Sequence, residues 1–162
     1  MSERDPEQAA LYQEHCRELA REVPCHKREH FVVNIGSADQ TLLRCFEGQK
    51  GANISLSELA MICEGFKLQS PASLVTALDI YPQVMDVMDW DQFFDGVGKT
   101  LVDDGTLILE IPSPGATHTN GPSTSDLGEI ASHHGLYVKR LKDMDYAGGT
   151  IRLYFTKEPP RK

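Results

Sequence analysis

The run FVVNIGSADQTLLRCF, residues 31–46, constrains this chain more than any other stretch. A mostly apolar segment, Phe31 to Ile35, ends on Gly36 and a short loop, Ser37 to Gln40, and a helix-like segment, Thr41 to Phe46, follows. A buried parallel strand entering a tight turn and then a helix has this pattern. In an open α/β sheet such a turn faces the ligand crevice at the carboxyl end of the strand. A nucleotide-type loop uses several glycines to let backbone approach the ligand, and this loop carries only Gly36. The segment therefore speaks more strongly for a fold than for an activity.

The rest of the chain repeats the alternation. Pro6 to Glu22 is predicted as an amphipathic helix, with Ala9, Ala10, Tyr12, Cys16, Leu19, Ala20 and Val23 near helical spacing and Pro24 ending it. Gly51 to Ile54 suits a short second strand. Ser55 or Ser57 would cap a helix from Leu56 to about Gly65, and Phe66 to Ser70 suits a stunted edge strand. The apolar run Ala72 to Ile80 is predicted as a central strand. Met88 to Leu101 is predicted as a helix capped by Asp89, with Trp90, Phe93, Phe94, Val97 and Leu101 as its buried face. Val102 to Gly105 would turn the chain into a strand from Thr106 to Pro112. Ser113 to Ser125 is loop-like, and a helix from Thr124 to His134 stops at Gly135. Leu136 to Leu141 and Gly149 to Thr156 close the chain as a hairpin pair. Strands alternating with helices predict a mostly parallel sheet covered on both faces.

Composition narrows the function. With 162 residues the chain suffices for one domain, and a net charge of −8 disfavours nonspecific binding to nucleic acid or an anionic membrane. No apolar run approaches the ~20 residues of a membrane-spanning helix. The charged start MSERDPEQ does not read as a secretory signal. The 4 cysteines lack paired spacing, so reduced thiols and a cytoplasmic location are expected. Cys25-His26 with His30 lacks the second cysteine pair of a structural zinc site, and no metal is expected there.

Several motifs occur in an order that resembles the Rossmann-like class I S-adenosylmethionine-dependent methyltransferases. GSADQTLLR is similar to the G-S-N-D-G-T-L-L motif of sugar C-methyltransferases. LVTALDIYPQVMDVMDWDQFFDGVGKTLVDDGTLILEIP resembles the family's fourth strand, helix and fifth strand, and GGTIR in the closing segment resembles a G-G-S-L-R motif. The resemblance implies a three-layer α/β methyltransferase fold, mostly parallel with a C-terminal antiparallel hairpin. It divides the chain into an N-terminal helix and lead-in (1–30), the methyltransferase-like domain (31–157) and a tail (158–162).

The resemblance also implies a site. Gly36, Ser37 and Asp39 would form the S-adenosylmethionine loop, Asn53 would meet the ribose, and Asp79 and Tyr81 would line the pocket after the central strand. From its residue type alone, Tyr81 is better suited to core packing than to stacking on a ligand. His118, in the loop after the fifth strand, is the candidate general base. Asp39, Asp79 and Glu110 are the carboxylates expected near the crevice.

The chain departs from the family at Asn34 and Asn53, where acids are usual, and at Ala38 and Gln40, where loop glycines are usual. Gln83 stands where a histidine is common, and FKLQSPAS offers no third-strand acid. Taken as independent, these changes weaken cofactor binding by about two to three powers of ten. The reading is a methyltransferase-fold protein with a degenerate site, used as a non-catalytic or repurposed binding or assembly subunit. The alternative is an active small methyltransferase acting on a small-molecule acceptor. A protein partner or a homodimer fits either.

Overall fold

The computed structural model describes residues 6–22, 31–36, 41–45, 50–66, 71–78, 89–112, 123–146 and 149–157. The first segment is α1 (Pro6–Glu22), which buries Tyr12, His15, Cys16 and Leu19. Ala9 and Ala10, expected on the apolar face, are exposed, and His15 takes a buried position instead. The predicted strand and helix both form, as β1 (Phe31–Ile35) and a short α2 (Thr41–Arg44), with the loop from Ser37 to Gln40 outside the described residues. Next come β2 (Lys50–Ile54), α3 (Leu56–Cys63), β3 (Ala72–Ala77), α4 (Trp90–Thr100) and β4 (Leu101–Pro112). The chain closes with α5 (Thr124–Ser132), β5 (Tyr137–Met144) and β6 (Thr150–Thr156).

The helix starts follow directly from local chemistry. Ser55, Asp89 and Ser123 each accept a hydrogen bond from the backbone N–H three residues on. Glu58, Gln92 and Asp126 in turn accept one from the cap's own N–H, completing three capping boxes. After α5 the chain turns at Gly135, whose φ of +76° favours a residue without a Cβ.

The sheet order is β2-β1-β3-β4-β6-β5. β2, β1, β3 and β4 are parallel, while β6 runs antiparallel to both β4 and β5. Right-handed crossovers dictate where the helices lie. The step from β1 to β2 moves one way along the sheet and puts α2 on one face. The step from β2 to β3 moves the other way, so α3 crosses to the opposite face. The two cores bear this out. Tyr12, Cys16, Leu19 and Leu42 pack with Val32, Leu74 and Ile108 under α1 and α2. On the other face Leu59, Phe93, Phe94 and Leu127 pack with Val33, Val75 and Leu107 under α3, α4 and α5. Gly96 allows α3 to press close on α4, since a Cβ there would lie 2.9 Å from the Leu59 side chain.

Three boundaries differ from the sequence reading. Val102 to Gly105 is no separate turn but part of β4, where pairing with β3 jumps from Ala72–Leu101 to Leu74–Thr106. Gly105 fits this irregularity because a Cβ there would sit 2.6 Å from Leu101 Cδ1. β5 continues to Met144 because Lys142 and Met144 find partners in Arg152 and Thr150. Phe66 is exposed and outside any strand, and 67–70 lie outside the described residues. The whole connection between β2 and β3, residues 55–71, therefore holds one crossover helix among the described residues, and β2 there has β1 as its one neighbour.

Candidate functional site

The parallel strands end together at one edge of the sheet, the place where α/β folds bind ligands. Gly36 closes β1 with φ +105°, a left-handed conformation suited to glycine, and its N–H donates to Ile54 O at 2.9 Å. This bond ties the start of the loop to the end of β2.

Just inside this edge a polar row crosses the sheet. Asn34 pairs in register with Asn53 on one side and Thr76 on the other. Strand alternation puts all three on the α1 face, with Val32 and Leu74 two residues below. Asn34 is 1% exposed. Its Nδ2 donates to Asn53 Oδ1 at 3.0 Å, and its Oδ1 accepts from Thr76 Oγ1 at 2.8 Å. A buried amide must be satisfied in this way, and the cost of leaving it unpaired locks the row. Asn53 stays partly buried beside it.

Of the residues predicted for the site, Gly36 and Asn53 are thus brought together at the ends of adjacent strands. Ser37, Asp39, Asp79, Tyr81 and His118 lie outside the described residues, as do Ala38, Gln40 and Gln83 and the Cys25–His26–His30 run. Glu110 follows the Ala77–Leu109 pair at the carboxyl end of β4, near the crevice edge as expected, and is 2% exposed, facing His15 of α1.

Glu110 anchors a charged cluster that local sequence patterns do not announce. Arg152 Nε donates to Glu110 Oε2 at 2.8 Å, and Arg152 Nη1 donates to Glu22 Oε2 at 2.8 Å. His15 Nε2 lies 2.6 and 2.8 Å from the two Glu110 oxygens. Its ring stacks on Tyr146, with centroids 3.7 Å apart and planes within 7°. Tyr154 and Lys142 both donate to Glu22, and Lys142 also reaches Glu18 at 3.0 Å. Contacts of His15 with Glu110, and of Glu22 with Tyr154 nearer the amino end of β4, run α1 back along the sheet from its carboxyl edge. One signal was legible: GGTIR marks Arg152 as a motif arginine inside a predicted strand.

Burial alone would raise the Glu22 carboxyl. Hydrogen bonds from Lys142 and Tyr154 and the charges of Arg152 and Lys142 outweigh it and hold the group at about 2, against an ordinary 4.5. A carboxyl whose pKa is depressed by folding stabilises the folded state above its ordinary value, and the contribution is lost as pH falls toward the folded one. Urea midpoints of the wild type and Glu22→Gln, compared from pH 6 to pH 2, are therefore expected to converge between about pH 4.5 and 2. A constant gap across that range contradicts the assignment.

No protein-family profile and no curated protein sequence matches this chain. Solved structures do. Magnesium protoporphyrin IX methyltransferase ChlM from Synechocystis PCC 6803, with bound SAH, superposes with a TM-score of 0.61 at 12% identity, over 98% of this chain and 90% of ChlM. The N-methyltransferase NodS from Bradyrhizobium japonicum WM9 gives 0.64 at 12% identity, over 90% and 96%. The mitomycin 7-O-methyltransferase MmcR gives 0.59 at 12% identity, and there the chain spans 93% of itself but 55% of MmcR. At these identities the likeness is one of fold: a Rossmann-like α/β sheet, mostly parallel with an antiparallel C-terminal pair, shared with class I methyltransferases.

Proposed function

We propose that this chain is a methyltransferase-fold protein whose S-adenosylmethionine site is degenerate and which serves as a binding or assembly subunit. The observation that carries the reading is the Asn53–Asn34–Thr76 row. A ribose diol is held best by a charged acceptor at the end of the second strand. Here the equivalent position is an amide whose Oδ1 is already engaged by a neighbouring amide. The turn at Gly36 still suits the backbone path that such a ligand needs. The residues therefore fit S-adenosylmethionine in backbone shape but not in charge, and they support weak binding; we derive no catalytic step through it. ChlM carries SAH in the same fold, which makes this nucleoside the natural ligand to try. A cytoplasmic setting and a protein partner or second copy complete the reading.

Calorimetric titration of S-adenosylmethionine and S-adenosylhomocysteine into the folded chain is expected to give a Kd weaker than about 100 μM, near −5.5 kcal/mol. Asn53→Asp restores a charged acceptor that Asn34 Nδ2 can still serve, and it is expected to tighten binding by about tenfold. Tight binding by the wild type, unchanged in Asn53→Asp, overturns the degenerate-site reading.

The retained Gly36 geometry favours one alternative, an active small methyltransferase with a small-molecule acceptor and His118 as base. Methyl transfer to a defined acceptor, abolished in His118→Gln, is the result that would establish it.

A further inference from the structure

The Asn53–Asn34–Thr76 row has a direction, and the direction starts at Thr76. Asn34 carries one carbonyl oxygen and one amide nitrogen, so the group it shows to Thr76 decides the group it shows to Asn53. Among the described residues its side chain bonds to these two neighbours, at 2.8 and 3.0 Å. Thr76 is 0% exposed, and its register partner on β4 is the apolar Ile108. Its hydroxyl proton therefore has one acceptor among the described residues, Asn34 Oδ1. With both amides turned the other way, Thr76 would accept from Asn34 and leave a buried O–H donor unpaired, which is the costlier arrangement. Because Thr76 donates, Asn34 donates in turn, and Asn53 accepts through Oδ1.

We propose that Thr76 is a positioning residue for the ligand site. Through Asn34 it fixes the orientation of the Asn53 amide, so that Nδ2, not Oδ1, is the group Asn53 turns from the row toward a ribose hydroxyl. The inference rests on the reading in which Asn53 meets the ribose. Thr76 itself touches Asn34 and not the ligand, and it acts from β3, two strands away from Asn53 on β2. An acid at position 53 removes the need for it. A carboxylate has no N–H to offer, so Asn34 must turn Nδ2 to it whatever stands at position 76. The role of Thr76 is therefore tied to the amide at position 53, which a simple packing role would not be.

The probe is S-adenosylhomocysteine, titrated into ¹⁵N-labelled protein, where amide shifts report even millimolar affinity. Thr76→Val keeps the shape and removes the hydroxyl. It is expected to move the Nδ2 signals of both Asn34 and Asn53 and to weaken binding about threefold to tenfold. Thr76→Ser is expected to return both the signals and the affinity. In the Asn53→Asp background, Thr76→Val is expected to change affinity by less than about twofold. Asn53 signals unmoved by Thr76→Val, equal losses in both backgrounds, or no return in Thr76→Ser overturns the proposal, as does a wild type that binds nothing at millimolar ligand. Tight binding by the wild type overturns the degenerate-site reading instead, and the amide signals then still decide whether Thr76 directs Asn53. Should Thr76→Val fail to fold, the wild type decides. Its Thr76 hydroxyl proton is expected to be protected from exchange and to lie against the Asn34 amide, and a freely exchanging proton overturns the proposal.

Discussion

Arg152→Met is expected to lower the unfolding free energy by about 3–5 kcal/mol, because it strands the buried Glu110 carboxylate without removing it. Among the described residues Glu110, 2% exposed, would keep only His15 as a partner, and Glu22 would lose its guanidinium contact. The cost comes from desolvated charge rather than from lost attraction, which sets the control. The double variant Glu110→Leu, Arg152→Met removes both charges and is expected to recover most of the loss, since an apolar pair of similar size often replaces a buried ion pair without penalty. Urea unfolding of wild type, both single variants and the double variant gives the coupling directly. Equal and additive losses from the two single variants would mean that the pair contributes nothing as a pair.

The second large effect lies in the core of the other face. Phe94→Ala is expected to cost about 3–5 kcal/mol, from the lost transfer energy and the cavity left behind. Phe94 is 0% exposed and meets Phe93 at 5.3 Å, Phe155 at 5.4 Å and Trp90 at 6.0 Å between ring centroids. It joins α4 to β6, so the surrounding rings cannot close the gap by a local shift. For a chain of this size, thermal unfolding is expected to fall by about 10 °C. A drop of only a degree or two would mean that α4 packs loosely on the sheet.

Much of this architecture was legible because its causes are local. Capping at Ser55 and Asp89, the Phe93–Phe94–Val97 stripe and the strand ending on Gly36 each depend on residues a few positions apart. The stretch between β2 and β3 holds a single crossover helix among the described residues, where the sequence also suggested an edge strand from Phe66 to Ser70. Boundaries moved where a partner strand supplied the decisive hydrogen bonds. β5 runs to Met144 because Thr150 and Arg152 lie opposite, and Val102 to Gly105 joins β4 across an irregular register.

The candidate site divides along the same line. Asn34 and Asn53 could be named from the sequence through its resemblance to methyltransferases, which puts acids at both positions, and amides there already argue against tight nucleoside binding. That they bond to each other, and that Thr76 completes the row, follows from strand register, which brings together residues 19 and 42 positions apart. His15 and Glu110 are 95 residues apart, and neither looks unusual in its own segment. A helix stripe and a strand alternation say that a residue faces inward. Only the packing of α1 across β4 and β6 determines which inward-facing charges meet, because burial makes their pairing obligatory while leaving the choice of partner to the fold.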